Sequence, residues 1–247
     1  MNPSSLARWA WRHGTPAYLD AKPVAFPGTA VILAHLWIGL MIMSMLVTLV
    51  ACLRIPAPRP LLFKLLLANT VLALLLECTG RITADLHVNN TILYNAFAVV
   101  EFALVLAMVA SIRVLRKAWL WGGACIGLAA MAYDASATRG AKFILTEGVL
   151  VLSLVVVVMV LVLLWQLART STRALQLLPE FWLFMGLLLF YGGLIPAFAM
   201  IHFVFRNDQG MANLLWSIPP ILSTARYLLA AYACVRIARD IRQGSHG

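Results

Sequence analysis

Apolar residues run along the chain in seven long stretches, each closed by a short polar segment. The stretches are Thr29–Leu53, Leu61–Gly80, Thr91–Ile112, Ala118–Ala135, Phe143–Leu167, Phe181–Phe205 and Ser217–Val235. A helix rises about 1.5 Å per residue, so roughly twenty apolar residues cover a hydrocarbon core of about 30 Å. The pattern therefore predicts an all-α, polytopic bundle of seven transmembrane helices over residues 29–235. A polar segment, 1–28, precedes the bundle, and a short tail, 236–247, follows it. The fourth stretch is the least apolar, diluted by Gly122, Gly123 and Gly127. Glycine is common in membrane helices, and Trp119 and Trp121 have the character of interface anchors.

Composition agrees with this pattern and removes the alternatives. Of 247 residues, 63% are hydrophobic and only 11% charged, at a mean hydropathy of +0.91. Soluble domains carry roughly a quarter charged residues. The bundle takes up nearly the whole chain and leaves no room for a soluble catalytic or DNA-binding domain. The polar start carries Pro16, Pro23 and Pro27, and no cleavable signal peptide is visible before the first apolar run. Trp9 and Trp11 would suit a short interfacial turn.

Lysine and arginine set the expected orientation. With the N-terminus outside, eleven basic residues face the cytoplasm: Arg54, Arg59, Lys64, Arg113, Arg116, Lys117, Arg169, Arg173, Arg236, Arg239 and Arg242. Seven face out, and Arg226 lies within a span. The expected topology is N-out and C-in, in a bacterial inner (cytoplasmic) membrane. The net charge of +10 is then a topology signal with headgroup contacts, so the expected partner is the lipid bilayer and not nucleic acid. Cys52, Cys78, Cys125 and Cys234 fall on different spans without a paired motif, which predicts free buried thiols.

Ionisable groups in the hydrocarbon cost at least about 2.5–3.5 kcal/mol to insert, so they are the first candidates for function. Glu101 and Arg226 sit at matched depth, about 14–15 Å from the outer end of their spans. Asn90, Tyr94, Phe97 and Glu101 share one helical face, and Ser223 lies one turn before Arg226. Glu77, Glu147 and His202 lie about 5–6 Å inside the outer boundary. With Asn95, Tyr133, Asp134 and Tyr191 they gather in the outer half, whereas the inner half holds little beyond Asn69. The expected ligand pocket or buried ion pair thus comprises Glu101, Arg226, Tyr94, Asn95, Glu77, Glu147, His202 and Tyr191. Pro196, after Gly192 and Gly193, predicts a bend in the sixth helix, and Gly123-x-x-x-Gly127 predicts close helix packing.

Two blocks carry a resemblance. Glu-Cys-Thr-Gly at 77–80, Asn89-Asn90, Tyr94-Asn95 and Glu101-Phe102 form the first, and Phe181-Trp182 with Gly186 through Tyr191 the second. Together they resemble a pattern in uncharacterised bacterial seven-transmembrane-helix membrane proteins of similar size, over roughly a fifth of the chain. The resemblance implies the fold and singles out these residues without implying a reaction. Microbial rhodopsins carry a lysine in the last helix, where this chain has Arg226. Intramembrane zinc hydrolases carry several histidines on three spans, where only His87 and His202 are available here, with Glu77 or Asp85 as further ligands. No cofactor and no metal site is expected. The leading expectation is a sensor or binding protein with an outward polar pocket between helices 2, 3, 5, 6 and 7, taking a small-molecule or lipid ligand and acting through a separate membrane or cytoplasmic partner. An intramembrane enzyme using a carboxylate as acid or base is the alternative, and a structural subunit of a membrane complex a further one.

Overall fold

The computed structural model describes residues 28–86, 89–137, 145–207, 215 and 217–244. Within these, seven helices carry the fold: α1 (Gly28–Leu53), α2 (Leu61–Asp85), α3 (Thr91–Ser111), α4 (Lys117–Ala137), α5 (Thr146–Thr170), α6 (Pro179–Asn207) and α7 (Ile218–Gly244). One 3-10 turn, Leu175–Leu177, joins α5 to α6, and no strand occurs among the described residues. Six of the helices are long and apolar enough to cross a membrane. The exception is α4, the helix diluted by glycines. Apart from Gly28, the polar N-terminal segment lies outside the described residues, as does His87.

α7 packs between α1 and α6, α1 on α2, α2 on α3, α3 on α5, and α5 on α6. These contacts close a ring of six helices, and α4 lies outside it against α5 and α3. Specific contacts fix the helix directions. Thr48 donates to the Tyr227 carbonyl and Cys52 meets Cys234, so α1 and α7 run parallel. The Leu145 amide donates to Asn95, and Phe102 and Leu152 converge on Gly127, so α3 and α5 are also parallel. α4 runs antiparallel to α5: Gly123 lies against Met159, Gly127 against Leu152, and Asp134 against Gly148.

Glycine makes the α4 contact possible. A Cβ on Gly127 would sit 2.6 Å from both Leu152 and Phe102, and one on Gly123 would collide with Met159. The Gly123-x-x-x-Gly127 stripe, extended by the buried Met131 and Asp134, is the face that α4 presents to the bundle. Packing within the chain is therefore what the motif does here. Gly122, one residue off the stripe, has nothing within 4 Å of its added Cβ.

Large apolar side chains such as Leu75, Val100, Leu161 and Leu228 are exposed around the outside. A surface of this kind is stable only against lipid. The interior is filled by Phe63, Val105, Met108, Val160, Leu163 and Phe184, all essentially inaccessible.

α7 continues past the end of its apolar stretch to Gly244, because Ile237, Ala238 and Ile241 still pack on the core. Arg242 in its last turn also favours the helix dipole. The thiols are not all buried. Cys52 and Cys234 are, with their sulfurs 3.1 Å apart, but Cys78 and Cys125 lie on the exterior. α6 runs as one helix from Pro179 to Asn207 with Pro196 inside it.

Candidate functional site

The first block of polar residues places Glu101 on α3, and the last apolar stretch places Arg226 on α7. Arg226 Nη1 donates to Glu101 Oε1 at 2.6 Å, with the two side chains 4% and 12% exposed. α3 and α7 are not neighbours in the ring, so this bridge crosses its interior. Matched depth was a correct guide to the pairing.

Neighbouring helices shape the surroundings of the guanidinium. Gly186 lets α6 approach until an added Cβ would lie 3.0 Å from the Arg226 carbonyl oxygen. One turn further, Phe190 and Tyr191 reach the guanidinium at 4.9 and 5.7 Å, while Tyr227 lies 5.3 Å away. Cation–π attraction is strengthened in such a desolvated place. Tyr191 is electrostatically coupled to Glu101 as well as to Arg226. Among the described residues, Arg226 Nη2 is buried without a hydrogen-bond partner, as are both side-chain polar atoms of Asn69 on α2. Unpartnered buried donors are rare because each forfeits its hydration.

Beside the pair lies a cavity of about 160 Å³. Glu101, Ser153 and Tyr191 supply its polar wall, and Ala98, Phe102 and Leu152 are among the apolar residues that supply the rest. Pro219, in the first turn of α7, borders it where a missing backbone N–H disturbs no helical bond. The cavity thus meets the carboxylate side of the pair, and the guanidinium stands behind it among aromatic rings. A guest here would face an acceptor before it faced a cation.

Not every expected residue reaches this centre. Tyr94 covers Gly80, where an added Cβ would collide with its hydroxyl, and it forms a second polar group with Glu77 and Arg81 near the same end of the bundle. Asn90 Nδ2 ties that group together by donating to the Gly80 carbonyl at 3.1 Å. Asn95 accepts from the Leu145 amide at 3.1 Å and Asp134 from the Gly148 amide at 2.8 Å. Both serve the start of α5, where helical N–H groups lack intrahelical acceptors. Glu147 is exposed in the first turn of α5, and Tyr133 is exposed on α4, so neither joins the interior group. The His202 side chain lies outside the described residues.

Sequence reasoning missed Tyr227 and Ser153, and held Phe190 only as part of the Gly186–Tyr191 block. Tyr227 adjoins Arg226, and Ser153 lies one turn beyond Val149 on α5. Comparison with family models, curated proteins and solved structures gives no match, so the geometry alone carries the reading.

Proposed function

We propose that this is a seven-crossing protein of the bacterial inner membrane, N-terminus outside, in which Glu101 and Arg226 form the wall of a binding pocket. The seventh crossing rests on direction. α3 and α5 run parallel, so the chain between them must return across the same thickness, and α4 lies antiparallel to α5 along that path. The orientation rests on the eleven basic residues at the end where α1, α3, α5 and α7 finish. The cavity then lies in the outer half of the bundle, between α3, α5, α6 and the start of α7.

The observation that carries the binding reading is that Glu101, braced by Arg226, also lines the cavity. A site of about 160 Å³ is close in size to an engineered apolar cavity that accepts benzene. The guest it suits is a small, mostly apolar molecule with a cationic or hydrogen-bond-donating group directed at Glu101. Occupancy would draw on the carboxylate that holds α3 to α7, and so would alter how the two helices are coupled. That coupling is the sensing step, passed to a separate partner protein.

A second reading is a purely structural brace, favoured by the short contact between helices that are not neighbours in the ring. A density map of the full chain in lipid nanodiscs separates the two. The binding reading expects non-protein density bounded by Glu101, Ser153 and Tyr191. A space closed by repacked side chains would leave only the brace.

A further inference from the structure

At the opposite end of the bundle from the Glu101 cavity, α1 and α7 flank a groove of about 500 Å³. Its floor is made of small residues, Ala51 and Ala238, packed above the contact between Cys52 and Cys234. Its rims are apolar and exposed, with Val47 and Val50 on one side and Val235 on the other. Three arginines, Arg54, Arg239 and Arg242, close one end of the same groove.

We infer that this groove is a binding site for an anionic phospholipid, with a phosphate held by Arg54, Arg239 and Arg242 and an acyl chain lying along the α1/α7 trough. Charge complementarity selects this occupant. Three arginines line one end of the groove and no carboxylate lines it. Arg54 and Arg239 are exposed, and among the described residues their guanidiniums make no hydrogen bond or ion pair. Guanidinium groups suit phosphate oxygens because their planar fork can donate two bonds at once. A free phosphate would satisfy the arginines and leave the apolar trough without a partner. A neutral lipid would fill the trough and leave the exposed guanidiniums of Arg54 and Arg239 without an anion. Only a lipid with an anionic head answers both halves.

The trough also has the right reach. From Val47 to Arg54 the helix rises about 10 Å, so the arginines stand at headgroup level when Val47 is level with acyl chains. The small floor residues create the depth, since larger side chains at 51 and 238 would fill it.

Native mass spectrometry of the delipidated full chain, titrated separately with phosphatidylglycerol, cardiolipin and phosphatidylcholine, tests the site. The wild type should retain the two anionic lipids at least about tenfold more strongly than phosphatidylcholine. The combined variant Arg54→Gln, Arg239→Gln and Arg242→Gln should lose that preference. A control with the same charge loss elsewhere at this end, Arg113→Gln, Arg116→Gln and Arg173→Gln, should keep it. Val50→Trp, which fills the trough without touching charge, should also weaken retention of the anionic lipids. Equal loss in both triple variants would mean diffuse attraction to a basic surface and would overturn the site. Unchanged retention in Val50→Trp would overturn the placement of the acyl chain, and no anionic preference in the wild type would end the proposal.

Discussion

Replacing Glu101 with glutamine should damage the bundle more than replacing both members of the ion pair. Opposite unit charges 2.6 Å apart attract by about 6 kcal/mol at an effective dielectric near 20, an attraction largely offset by the loss of hydration on burial. Glu101→Gln removes the attraction and keeps the burial. Arg226 already has one terminal nitrogen without a partner among the described residues, and the change would leave its charge held only by three aromatic faces. The expected cost is about 3–5 kcal/mol. The double change, Glu101→Gln with Arg226→Met, removes the stranded charge and fills the aromatic sleeve with an apolar side chain, and should recover most of that loss. Cysteine chemistry supplies the assay, since Cys52 and Cys234 are buried and a thiol-reactive dye reports their exposure as the protein unfolds in detergent. Midpoints should fall for the single variant, by an amount on the order of 10 °C, and return toward wild type for the double. A double variant no more stable than the single would refute the reasoning.

Other positions give sharper local contrasts. Gly127→Ala should destabilise by about 1–3 kcal/mol, because its Cβ meets Leu152 and Phe102, whereas Gly122→Ala should be neutral or slightly stabilising; thermal midpoints of the two compare them directly. Thiol counting on the folded protein should find two reactive cysteines, Cys78 and Cys125, with two more appearing on unfolding; four reactive thiols in the folded state would contradict the α1/α7 contact. Reporters fused after Arg116, Arg173 and Arg242 should report cytoplasm, and fusions after Arg81, Arg139 and Asp208 the other side. A reversed result on the two sides of α4 would remove it as a crossing.

Helix positions were legible from the sequence because runs of twenty apolar residues leave few choices, and α1, α3 and α4 start or end within a residue or two of the expected places. The helix ends beyond the hydrocarbon were less legible. α7 outlasts its apolar run because a helix can continue into the headgroup layer on alanine, isoleucine and arginine. The Glu101–Arg226 pair was legible from depth alone, since two buried opposite charges at one level have strong reason to meet. Faces were not. A membrane helix is apolar on both its lipid and its protein sides, so periodicity does not show which way a polar residue points. Glu147, exposed in the first turn of α5, is an example. Asn95 and Asp134 face inward, but as caps of α5, a role that requires knowing which helix start lies nearby.

Solvent access beside Glu101 is the most direct test of the central claim. Ala98 lines the cavity one turn from Glu101, while Val105 is packed in the core further along α3. Cysteine is placed at each position in turn, with Cys78 and Cys125 replaced to clear the background, and a membrane-impermeant thiol reagent is added outside intact cells. The account predicts that Ala98→Cys reacts, that its rate changes when Glu101 is replaced by glutamine, and that Val105→Cys stays silent. An Ala98→Cys protein as unreactive as Val105→Cys would mean that Glu101 and Arg226 are a dry brace, and would contradict the binding function.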